Sequence, residues 1–115
     1  MAPWDRDDAE VLFREAKKML SNTTALIVHH LEISIAYACG VPLKDPNVYI
    51  ATGELGVITS FEECLEMALQ NHTYALIVWY KKPVVGLCDV PKDTRYSYFV
   101  LEERGNMVLY IFSKV

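Results

Sequence analysis

The run Tyr-Ala-Leu-Ile-Val-Trp-Tyr at positions 74–80 carries no charge on either side of a pleat. A strand of that composition has to be covered on both faces, so it belongs inside a sheet and not at its margin. From Tyr74 to the C-terminus the hydrophobic period is 2. Lys81-Lys82-Pro83 breaks the run, residues 84–90 read as a further strand ended by Pro91, and residues 95–103 and 107–113 flank Arg104-Gly105-Asn106. Gly-Asn is a two-residue hairpin loop. Closed there, the hairpin pairs Leu101 with Tyr110 and Phe99 with Phe112 on one face, and sets Val100 and Ile111 on the other.

Upstream the period is 3.6. Ala9, Leu12, Phe13, Ala16, Met19 and Leu20 line one side of a helix. Asp5, Asp7, Asp8 and Glu10 crowd its start and Lys17 and Lys18 its end, which complements the helix dipole and accounts for the acids without a metal ion. Residues 25–39 read two ways. Gly40 with Pro42 just beyond, the length of the segment and two alanines in its second half favour a second, largely buried helix, whereas alternation from Leu31 to Cys39 favours a strand. Helix is the expectation. Two prolines within 42–47 make a loop, Val48 to Ala51 can form a short strand, and Ser60 with Glu63 is a capping box. That box opens a third helix on Phe61, Cys64, Leu65, Ala68 and Leu69, fraying near Asn71. The expected architecture is one α+β domain over residues 1–115, with two N-terminal helices, a third helix and a mostly antiparallel sheet of about four to five strands ending in a C-terminal hairpin.

Hydrophobic residues make up 52% of the 115, which excludes a disordered chain, and a formal charge of −4 with no basic cluster beyond Lys81-Lys82 argues against nucleic acid. The acidic first residues lack a signal peptide's apolar core, and His29, His30, Glu32 and Ser34 interrupt the longest apolar stretch, so no membrane segment is expected. Cys39, Cys64 and Cys88 are odd in number with no C-x-x-C pair, against a disulfide framework or zinc site and in favour of a reducing cytoplasm.

Histidine is the side chain best suited to acid–base chemistry near neutral pH. His29 and Glu32 fall on one face if the segment is helical, but H-H-x-E is not the H-E-x-x-H of zinc proteases. A small Cys/His-dependent hydrolase or transferase would draw on Cys88 or Cys64 with His72 or His30, assembled through space. A ligand-sensing loop would use Gly53, Gly56 and Ser60, although G-x-x-G lacks the Lys-Ser/Thr of a phosphate loop. Residues 57–90, a helix, an apolar strand and then Pro-Val-Val-Gly-Leu-Cys-Asp-Val, resemble half of a CBS nucleotide-sensing module, with that family's closing helix replaced by the C-terminal hairpin. The resemblance implies no ligand or residue role here.

The apolar content of so short a chain leaves sheet surface in want of cover. The expected function is therefore a non-catalytic interaction or oligomerisation module, self-associating as a homodimer, with Tyr96, Tyr98, Val100, Ile111 and Trp79 at the contact and no cofactor or metal.

Overall fold

A computed structural model describes residues 6–51, 53–54, 57–58, 61–85, 87–92 and 94–115. Helix α1 is Arg6–Met19, with Ala9, Leu12, Phe13 and Ala16 buried along one stripe, Asp7 and Asp8 in its first turn and Lys17 and Lys18 in its last. Strand β1, Thr24–His29, follows after a tight turn. A single 3₁₀ turn at His30–Glu32 leads into α2, Ile33–Ala38. Strand β2 is Val48–Ala51, and a small two-stranded sheet, β3 at Gly53–Glu54 and β4 at Val57–Ile58, stands apart from the main one. Helix α3 is Phe61–Asn71, and strands β5 (Tyr74–Tyr80), β6 (Tyr96–Arg104) and β7 (Met107–Lys114) complete the chain.

The main sheet has the order β2-β1-β5-β7-β6. Strand β1 runs parallel to both β2 and β5, and β7 runs antiparallel to both β5 and β6. The class is α+β with a mixed sheet. Right-handed connections carry α2 over one face on the way from β1 out to β2, and α3 over the other on the way back to β5. Side-chain contacts agree. Arg104, Met107 and Tyr80 are cross-strand neighbours on one face, where Arg104 reaches Asp8 of α1. Glu103, Val108 and Trp79 line the other, where Trp79 packs on Phe61 of α3 at 4.9 Å. The core between the layers is built on Phe13, Leu26, Ile27, Phe61, Leu76 and Trp79.

Three expectations are corrected. Residues 25–39 are not one helix. All six residues of β1 are buried, as a parallel strand covered on both faces demands, so it shows no alternation and reads like a buried helix. The Gly40 stop signal belongs to the short α2: Gly40 takes φ +80°, Gly40 N donates to Tyr37 O at 3.0 Å and Val41 N donates to Ala36 O at 3.0 Å. This left-handed closure satisfies the last helical carbonyls.

The described residues of 84–90 form no strand. They are tied to β5 where Trp79 Nε1 donates to Cys88 O at 2.9 Å, while the helix and apolar strand before them are present as α3 and β5. Finally, the hairpin register holds only from the turn to Glu102↔Leu109. A bulge at Leu101 then shifts it by one, so Val100 pairs with Tyr110, Phe99 with Ile111 and Tyr98 with Phe112. No helix among the described residues is long and apolar enough to cross a membrane.

Candidate functional site

Strand β6 closes the main sheet at one side, with β7 as its one strand neighbour among the described residues. The other margin, β2, has four residues; β6 has nine. Between Tyr96 and Leu101 β6 carries no charge and no proline, the usual guards of an open strand. Its middle is bare: Phe99 is 68% exposed, Val100 46% and Leu101 44%. Each end of the hairpin strand is pinned to a different helix, Arg95 by an ion pair to Glu62 of α3 and Arg104 by an ion pair to Asp8 of α1 at 3.8 Å. Neither helix covers the residues between.

The main-chain hydrogen bonds of β6 fix which groups face outward. Val115 N donates to Arg95 O at 3.2 Å, which marks Arg95 with Val115 as a bonded pair. Bonded and unbonded pairs alternate along an antiparallel ladder, so Ser97 and Phe99 turn their N–H and C=O groups to β7. Those of Tyr98 and Val100 turn away from β7. The side chains of Tyr96, Tyr98 and Val100 share one face, where the Tyr98 ring rests on Phe112 at 5.4 Å and on Tyr110 at 5.7 Å, and the Arg95 guanidinium lies over Tyr96 at 5.4 Å. The strand is thus held rigid from within and left open from without.

A second cluster lies where the C-terminal ends of β1 and β5 meet. The chain leaves these adjacent parallel strands in opposite directions, the position at which open sheets with parallel strands form their crevices. His29 ends β1 with its Nδ1 accepting from Leu31 N at 3.2 Å. Its ring contacts those of His30 at 4.5 Å, Trp79 at 4.7 Å and Phe61 at 5.5 Å. Burial, and next the neighbouring His30, lower its pKa to about 4, in keeping with a ring nitrogen that serves as an acceptor.

Glu32 is 1% exposed, and its Oε1 has no hydrogen-bond partner among the described residues. Burial holds this carboxyl well above the ordinary carboxylate range, against the opposing pull of a backbone hydrogen bond from His29. An acid and a base side by side are thus both kept from charging. Sequence reading noted the H-H-x-E string but not its burial; an acid inside an apolar run was the available sign.

The Cys/His candidates lie in different places. His72, at the end of α3, contacts Ala68 O through Nδ1 at 3.1 Å and Asn47 Oδ1 through Nε2 at 2.8 Å, and so joins α3 to the start of β2. His30 and Cys88 belong to the opposite end of the sheet, where β1 and β5 finish. Cys64 is buried in α3, and desolvation raises its thiol to about 11. Burial also raises the Cys88 and Cys39 thiols, so each of the three is held in its unreactive form near neutral pH.

Of the ligand-loop residues, Gly53 sits in β3, and Gly56 and Ser60 lie outside the described residues. Among the contact candidates Tyr98 and Val100 are exposed, and Tyr96 and Ile111 half-buried. Trp79 is 1% exposed and belongs to the core, because the segment read as a strand instead folds over it. Among the described residues no group of three or more His, Cys, Asp and Glu side chains could hold a metal ion.

Fold and site together define an α+β protein whose mixed sheet is sandwiched between helices and open along one long, apolar strand. Compared with protein-family models, with curated proteins and with solved structures, the chain finds no match.

Proposed function

We propose that this protein is a self-associating module in which β6 pairs with the same strand of a second copy. One observation carries the reading: a nine-residue marginal strand that pairs with β7 alone among the described residues and leaves Phe99, Val100 and Leu101 exposed. Such a strand is a template for pairing, and proteins that stay monomeric guard it. A second copy is the occupant that fits, since β6 is uncharged from Tyr96 to Leu101 and an identical uncharged strand matches it.

A contact one strand wide belongs with the small interfaces of weak, reversible association, below the ~1,200–2,000 Å² of standard ones. Sedimentation velocity across a concentration series tests this. Mass should rise from 13.1 kDa toward twice that value. Val100→Lys, which places a charge on the open strand, should raise the dissociation constant at least ~10-fold while leaving the melting temperature of the dilute protein unchanged. A wild-type chain that stays at 13.1 kDa to its solubility limit would overturn the proposal.

A further inference from the structure

Resting on that reading, we infer that the two copies join about a two-fold axis at Phe99, so that Phe99 faces its counterpart and Tyr98 of each copy faces Val100 of the other. Main-chain geometry points to this register. Tyr98 and Val100 stand opposite Phe112 and Tyr110 in unbonded pairs, which turns their N–H and C=O groups away from β7. Ser97 and Phe99 use theirs on β7, and the bulge at Leu101 ends the regular stretch. In an antiparallel pairing of identical strands each outward residue must meet an outward residue of the other copy.

An axis at Phe99 brings both outward residues into bonded pairs. Tyr98 meets Val100 twice over, and at two hydrogen bonds a pair about four result. An axis at Tyr98 or at Val100 makes one bonded pair from the same two residues, hence about two hydrogen bonds. Within the regular stretch the count therefore favours Phe99.

Side chains favour the same axis on an independent ground. Phe99 lies on the face that α1 occupies, beside Ile111, yet it is 68% exposed, the barest large apolar side chain of β6. On the axis the two Phe99 rings meet as an unbonded pair, the closer kind. They complete an apolar row across the joined sheets, Ile111 and Phe99 of one copy followed by Phe99 and Ile111 of the other. The opposite face gains a second row, in which Phe112 and Tyr98 of one copy run into Val100 and Tyr110 of the other. An axis at Tyr98 would instead set Phe99 against Ser97. The same patch serves both copies, so the contact closes on itself as a dimer with one continuous sheet, five strands from each copy.

The test oxidises Phe99→Cys in a Cys88→Ser background, with Ser97→Cys in the same background for comparison. Opposed Cα atoms of an unbonded pair lie about 4.5 Å apart, inside the ~4.4–6.8 Å that a disulfide spans. Phe99→Cys should therefore cross-link to itself, whereas Ser97→Cys should not, alone or mixed with a differently tagged Phe99→Cys chain. Because that substitution removes the ring the pairing uses, the wild-type protein supplies a second measurement. On raising its concentration until most chains are paired, amide exchange should slow about tenfold at Tyr98 and Val100 alike, while Phe99, bonded to β7 throughout, changes little.

A Phe99→Cys dimer by sedimentation that forms no cross-link with itself would overturn the register, and a cross-link to Ser97→Cys instead would put the axis at Tyr98. A dimeric wild type whose exchange slows at only one of Tyr98 and Val100, or at neither, would overturn it too. Each of these results leaves self-association standing, whereas a chain that is monomeric at every concentration removes the reading on which the register rests.

Discussion

Replacing Glu32 by Gln tests the reading of the buried acid and base at the ends of β1 and β5. The Glu32 carboxyl is raised from 4.5 by burial, so as pH climbs above 4.5 the folded chain holds one proton that the unfolded chain has lost. Each further pH unit then weakens folding by about tenfold in the equilibrium constant, for as long as the folded carboxyl keeps its proton. His29 works in the opposite sense. Its pKa falls from 6.5 to about 4 on folding, so across that interval the unfolded chain holds the extra proton and stability grows with pH by the same factor.

Between pH 4.5 and 6.5 the two slopes oppose each other, and above 6.5 the His29 contribution is complete. Glutamine keeps a carbonyl to accept the backbone hydrogen bond from His29 and cannot ionise. Between pH 4.5 and 6.5 the variant should therefore gain stability on the wild type, by up to about tenfold in the folding constant for each pH unit over which the folded carboxyl keeps its proton. Urea unfolding followed by circular dichroism at half-unit pH steps measures this. The quantity to read is the change of the difference with pH, because a buried amide adds an offset that does not vary with pH, and other titrating groups drop out. A difference that stays level over those two units would mean that Glu32 is ionised in the fold, and the account of the cluster would fail.

Gly105 holds φ +57° at the hairpin loop, and a Cβ there would lie 2.4 Å from Asp8 Oδ2, so Gly105→Ala should cost about 1–2 kcal/mol in chemical denaturation. Adding Asp8→Ala should recover the part due to the clash and leave the backbone part. Trp79→Phe removes the hydrogen bond to Cys88 O and should lower stability by about 1 kcal/mol, with faster proteolysis within residues 81–92 as the sign that this segment has been released. Because burial raises all three thiols, iodoacetamide at pH 7 should modify Cys39, Cys64 and Cys88 more slowly than it modifies a free cysteine. One thiol reacting faster than that standard would restore the Cys/His enzyme as the better reading.

How far the fold could be read from the residues depended on whether each element met water. Helix α1 has a dry stripe and a wet one, and its charges sort by end, so its bounds were plain. Helix α3 has the same two-sided character, with Phe61, Cys64, Leu65, Ala68 and Leu69 inward. Strand β1 has no wet side. With Thr24 through His29 all buried, nothing in the string distinguishes a period of 2 from one of 3.6, and the alanines and glycine that tipped the reading toward a helix belong to α2 and its closure. The interior position of β5 followed from the same lack of charge, because an apolar run bounded by Asn71 and Lys81 is short enough to be a strand in any case.

The open margin shows the limit most sharply. The sequence marks Tyr96, Tyr98 and Val100 as contact residues, but the register it suggests for them is offset by one beyond Leu101. Phe99, Val100 and Leu101 are all apolar, so no polar residue marks where the ladder gains its extra member. The slip nevertheless decides the chemistry of the margin. In the expected register Phe99 would have packed against Phe112; in the structure Tyr98 takes that place and Phe99 is left 68% exposed on the other face.

The same offset decides which amides look outward. Counted back from the loop without a bulge, Arg104, Glu102, Val100 and Tyr98 would bond to β7, and Phe99 and Ser97 would face the margin. With the bulge, Tyr98 and Val100 face it instead, and their side chains lie on the face lined by Tyr110 and Phe112. Deleting Leu101 should therefore restore the unbulged ladder and move the outward amides to Ser97 and Phe99. Amide exchange in the dilute protein would then be fast at those two positions and slow at Tyr98 and Val100, and a deletion variant that kept the wild-type pattern would show that the bulge does not set the register.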